Sequence, residues 1–134
     1  MIYVPQEWRC DAARWNFMRF LCLNYPRWIQ EARDIKLAYR ATFDAPTSGG
    51  DKSSEVERKV EELEAYTSQI ELIERCCRLA TEQNPEVYNA LLKVVTTGVP
   101  VAYVPSPVGR RQMFKYKRTF FFILDEELNK IKIM

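Results

Sequence analysis

The sequence predicts an all-α fold: a helical bundle with a long central helix and a C-terminal helix-turn-helix. Three observations point there. Almost every long periodic segment repeats its apolar residues at helical spacing, and few runs alternate strictly enough for strands. The turn-forming residues gather mainly in Phe43 to Asp51, and only four glycines occur in 134 residues. Asn84-Pro85 and Ser106-Pro107 each place a capping side chain ahead of a proline, a helix-start signal.

The elements follow in order. Asp11 is placed to cap a first helix whose stripe is Trp15, Met18 and Cys22, widened by Phe17, Phe20 and Leu21. Asn24-Tyr25-Pro26 interrupts it, because Pro26 lacks a backbone donor and disfavours helix at Tyr25. A second helix or kinked continuation is expected from Pro26 to Ala41. After a loop at 43–53, Ser54 and Glu57 have capping-box spacing and open a long acidic helix over 54–84. Its Val56, Val60, Leu63, Thr67, Ile70 and Cys77 keep an a/d register. Either the second helix folded back or the same helix of another subunit would fill that seam, and an ordinary amphipathic core helix has the same pattern. Asn84-Pro85 then starts a strongly apolar helix ending at Gly98. Val101 to Val104, between Pro100 and Pro105, has room for one turn. Ser106-Pro107 opens the last helix, running to about Asn129. The chain thus divides into an N-terminal helical segment (1–42), a flexible loop (43–53), the long acidic helix (54–84) and a C-terminal helix-turn-helix region (85–134).

Composition narrows the chemistry. The chain has no His, which excludes Ser-His-Asp, Cys-His and most catalytic zinc arrangements. Cys10, Cys22, Cys76 and Cys77 have no C-x-x-C spacing and read as reduced core residues. Runs of carboxylates such as Glu61-Glu62 read as solvated charge, and Gly49-Gly50 lacks the strand and helix of a nucleotide loop. No catalytic residue, metal ligand or cofactor is assigned, and an enzyme is not expected. No run reaches the roughly 18 apolar residues of a membrane helix, and the first residues lack a signal peptide's pattern. A cytoplasmic location is expected.

The net charge of +2 hides an asymmetry: residues 51–84 carry 5 basic and 9 acidic side chains, residues 85–134 carry 8 and 4. An acidic middle and a basic end suggest that the end faces a polyanion. In the last helix, Met113, Tyr116, Phe120 and Leu124 fall on one side; Arg111, Lys115 and Arg118, flanked by Gln112 and Thr119, fall on the other. A buried helix, a linking turn and a helix with Arg, Gln and Lys in its first turns is the arrangement of a helix-turn-helix. Arg110, Arg111, Gln112 and Lys115 are the candidate base or groove contacts, with Lys117 and Arg118 suited to phosphates and Thr119 beside them. A solvated basic face on a core helix has the same composition.

The stretch NPEVYNALLKVVTTGVPVAYV followed by PVGRRQMFKYKRTFFFILDEEL resembles the RinA/ArpU-like late-gene transcriptional regulators of Firmicutes phages and prophages, as does the opening RCDAARWNFMRFLCLNYPRWIQEA. The matching pieces are VTTG, the P-x-G-R of Pro107, Gly109 and Arg110, and the aromatic-basic run from Phe114 to Phe122. The resemblance implies a degenerate, sigma-factor-like helix-turn-helix in a phage-encoded, DNA-binding regulator acting in a bacterial host. Double-stranded DNA is the expected partner, host RNA polymerase a further one, and a homodimer is expected through the helix 54–83. In this chain the segment 99–106 is shorter than in that family. The alternative is an adaptor or inhibitor docking a host protein such as RNA polymerase without binding DNA. Exposed Trp8, Trp15, Trp28 and Phe122 in one patch, with Arg111 and Lys115 salt-bridged, would mark it.

Overall fold

A computed structural model describes residues 3–44 and 52–132, with side chains over 3–38 and 55–131; most of the expected loop at 43–53 lies outside the described residues. Five α-helices occur among them: α1 (Ala12–Leu23), α2 (Tyr25–Asp44), α3 (Lys52–Ala80), α4 (Tyr88–Thr97) and α5 (Arg110–Lys132). Single 3-10 turns lie at Pro85–Val87 and Val101–Tyr103. No strand occurs among the described residues.

Asp11 caps α1 as its sequence position suggests, its carboxylate accepting from the Arg14 N–H at 2.7 Å. Met18, Leu21 and Cys22 are buried, whereas Phe17 and Phe20 face outward, so the apolar stripe is narrower than the residue types suggest. The break before α2 is one residue long. The Asn24 amide donates to the Phe20 carbonyl at 2.7 Å, and the Asn24 carbonyl accepts from the Trp28 N–H at 2.9 Å. Pro26 then occupies the first turn of α2, where a missing donor breaks no helical bond.

The next helix folds back. Tyr25 donates to Glu74 at 2.5 Å and Tyr66 donates to Glu31 at 3.2 Å, which sets α2 and α3 antiparallel. α2 lies along α3, but Val60 of the heptad seam remains exposed. α3 starts at Lys52, so Ser54 and Glu57 lie inside the helix rather than at its cap. Among the described side chains, Ala32 is the one buried residue of α2, and none on α3 precedes Leu72. The far part of the hairpin therefore stands off the core as an arm.

The core lies where α1, the C-terminal half of α3, α4 and α5 meet, and it includes Met18, Ile73, Leu91, Met113, Phe120 and Leu124. Each such side chain contributes about 1.5–3 kcal/mol by leaving water. The four cysteines are free; Cys22, Cys76 and Cys77 are buried. Burial pushes the Cys76 and Cys77 thiols up to about 12. Asn84 makes no side-chain cap; its carbonyl accepts from the Val87 N–H at 3.0 Å, and Pro85 opens a 3-10 turn ahead of α4. Gly98, at φ 71°, ends α4 in the left-handed conformation that glycine adopts without a Cβ clash. α5 runs antiparallel to α3, with Arg75 and Glu127 paired at 3.0 Å. No helix among the described residues is long and apolar enough to cross a membrane.

Candidate nucleic-acid interface

The helix carrying the basic residues begins later than Ser106-Pro107 suggests. The Ser106 hydroxyl accepts from the Val108 N–H at 3.2 Å, closing a local turn that competes with helix. α5 starts at Arg110, and the Gly109 carbonyl accepts its first bond, from the Met113 N–H at 3.0 Å. Arg110, Arg111 and Gln112 thus form the first turn. Backbone N–H groups there lack helical partners, and the dipole favours anions. No acidic residue lies in that turn.

The inward side is the expected one: Met113, Phe120 and Leu124 are buried and Tyr116 is half-buried. On the outward side Arg110, Arg111, Gln112, Phe114 and Lys115 are exposed. None of Arg110, Arg111 and Lys115 is ion-paired among the described residues. Gln112, Lys115 and Thr119 border a depression of about 230 Å³ whose far wall includes Glu82 and Gln83, just beyond the end of α3.

Past Lys115 the expected face closes. Arg118 is half-buried and held from one side through its Nη2. It donates to the carbonyls of Pro5, Gln6 and Trp8 at 2.9, 3.2 and 3.4 Å, with its guanidinium over the Trp8 ring. Trp8 packs edge-on against Phe122, centroids 5.7 Å apart, and donates to Asp125 at 3.2 Å. Asp125 also pairs with Arg14 at 2.7 Å, and Arg14 reaches Asn129 at 2.8 Å. The segment before α1 is thereby strapped across α5. Thr119 donates to its own helix, at the Lys115 carbonyl. Lys117 points to the other flank, half-buried beside Arg19 of α1; burial, then Arg19, pulls its ammonium below the usual lysine range. Of the candidates, Arg110, Arg111, Gln112 and Lys115 stand open together, with half-buried Thr119 beside Gln112 and Lys115, while Lys117 and Arg118 turn to other partners.

Arg19 is absent from the sequence-derived candidates. One signal was available, since no acidic residue lies three or four positions from it on α1. Trp8, Trp15 and Trp28 are all half-buried, Trp15 against Phe121 at 4.6 Å, so these residues and Phe122 form no exposed patch. Residues 98–109 join α4 to α5, a longer connection than the three- or four-residue turn of a compact helix-turn-helix. No family model matches the chain, and no significant match to a curated protein or to a solved structure is found.

Proposed function

We propose that the protein is a DNA-binding transcriptional regulator of the phage type its sequence resembles, with the first two turns of α5 in the major groove. The observation that carries this reading is the group of Arg110, Arg111, Gln112 and Lys115. They are exposed together at a helix start, and the three cations are without ion pairs among the described residues. Arg and Lys there can donate to guanine O6 and N7, Gln can pair with adenine, and the free N–H groups can hold a phosphate. The rest of α5, sunk into the core through Phe120, Leu124 and Leu128, gives those residues a rigid base. α4 takes the part of the supporting helix in a degenerate, sigma-like helix-turn-helix. The α2–α3 hairpin serves as the contact for a second subunit or for host RNA polymerase.

The aromatic packing supports this reading over the adaptor, whose marks would be grouped exposed tryptophans and salt-bridged Arg111 and Lys115. Enrichment of fragments of the source genome on the purified protein is the test. Recovery of discrete fragments, lost with Arg111→Ala plus Lys115→Ala, is expected. Capture of a host protein after nuclease treatment, with no enriched fragment, would favour the adaptor.

A further inference from the structure

We infer that Arg19 of α1 and Lys117 of α5 form a binding site for a phosphate-type oxyanion, in the pocket between α1, the turn at Gly98 and α5. The pocket measures about 80 Å³ and is bordered by both cations together with Trp15, Leu23, Val99 and Phe121. The pocket is far smaller than the roughly 300 Å³ and more of a site that encloses a drug-sized ligand, a size suited to a small oxyanion or to one phosphate of a larger molecule. No carboxylate lines the pocket, and neither cation is ion-paired among the described residues.

Helix geometry explains how Lys117 comes to be there. Arg110, Phe114, Lys117 and Phe121 follow at i, i+4, i+7 and i+11, one stripe running from the open start of α5 down to the core. Lys117 sits at the shoulder of that stripe, between exposed Phe114 and buried Phe121. A single cation at this corner has an ordinary explanation: its stem covers apolar surface while its head reaches water. Lys117 is half-buried and Arg19 beside it is exposed; burial first, and then repulsion from Arg19, lowers the proton affinity of Lys117. A bound oxyanion supplies the negative charge that no side chain lining the pocket provides, and the small pocket sets its size.

The inference goes beyond DNA binding, because a phosphodiester and free phosphate share this chemistry. Melting is measured for the wild type, Lys117→Met and Arg19→Gln in sodium phosphate, sodium sulfate and sodium chloride at equal ionic strength. Phosphate at about ten times its Kd is expected to raise the wild-type Tm by about 5 °C. Lys117→Met should melt higher than wild type in chloride, having lost a half-buried charge beside Arg19, and both variants should lose the phosphate response. Salt-dependent duplex titration of the same proteins separates the sources. A slope of log K against log salt shallower by about 0.9 in Lys117→Met assigns the site to a DNA phosphate. An unchanged slope with a lost phosphate response assigns it to free phosphate. Equal phosphate responses in all three proteins, or no wild-type response together with unchanged duplex slopes, would overturn the site. Arg111→Ala plus Lys115→Ala reports on the proposed groove contacts alone, so loss of that reading leaves the melting result interpretable.

Discussion

The guanidinium carbon of Arg118 lies 5.4 Å from the centroid of the Trp8 ring, which fixes where the cationic face of α5 ends. A residue near the chain's start thereby closes a surface built near its end. Arg110, Arg111 and Lys115, one to two turns earlier, have no such cover.

Trp8→Ala removes the edge contact with Phe122, the cation–π contact with Arg118 and the hydrogen bond to Asp125. A loss of about 2–3 kcal/mol is expected in urea denaturation. Freed Arg118 should then add a phosphate contact, steepening the salt slope of duplex binding by about 0.9. Reduced stability with an unchanged slope would mean that Arg118 stays held by the remaining carbonyls.

Arg14 and Asp125 pair at 2.7 Å with side chains only 16% and 17% exposed, so the screening that weakens surface pairs is largely absent. Asp125→Ala should cost about 3 kcal/mol, because Arg14 loses its countercharge and Trp8 its acceptor. Arg14→Met combined with Asp125→Leu should recover most of that. A loss below about 0.5 kcal/mol for Asp125→Ala would contradict a structural role for the pair.

The two glycines flanking the connection between α4 and α5 should respond oppositely. Gly98 has φ 71°, and an added Cβ would meet Leu23 Cδ2 at 3.4 Å; Gly98→Ala should cost about 1–2 kcal/mol. Gly109 has open space where a Cβ would go and precedes α5, so Gly109→Asp should stabilise by a few tenths of a kcal/mol. The same carboxylate at the helix start should weaken duplex binding, whereas Gly109→Ser should stabilise and leave it intact. Chemical denaturation alongside anisotropy titration reads both effects.

Stability should fall in alkali. The folded state holds the Cys76 and Cys77 thiols up to about 12 by burial, against an ordinary 9.0. Burial and the bond to Glu74 likewise raise the Tyr25 phenol above its ordinary 10.0. Groups held protonated contribute fully below their unfolded values and progressively less as pH rises toward the folded ones. Each thiol should therefore subtract up to about 1.4 kcal/mol per pH unit between about 9 and 12. Lys117 acts in the opposite sense, its folded value being lowered, and as one half-buried group only reduces the slope. Urea midpoints at pH 8, 9.5 and 11 check this; a flat profile would contradict thiols buried in the native core.

Much of this architecture is local and so was legible in the sequence. Asp11, Pro26 and Gly98 act on the backbone within a few residues, and the spacing of Met113, Phe120 and Leu124 sets the buried side of α5. Local signals also competed. Ser106 closes a turn with Val108 instead of capping a helix, and α3 runs past Ser54 to Lys52. The candidate site was half legible. An angle around a helix says which residues share a side, but not what covers them. The cover on Arg118 comes from Pro5 to Trp8, over a hundred positions away, and the burial of Lys117 comes from α1 and α4.

The most direct test is the salt dependence of duplex binding, followed by fluorescence anisotropy from about 50 to 200 mM salt. Wild type is compared with Arg110→Ala/Arg111→Ala/Lys115→Ala. Three open cations should give the wild type a slope of log K against log salt of about −2.7 or steeper, and the triple variant should lose about that much of it. A wild-type slope near zero, or the same slope in both proteins, would contradict a DNA interface at the start of α5.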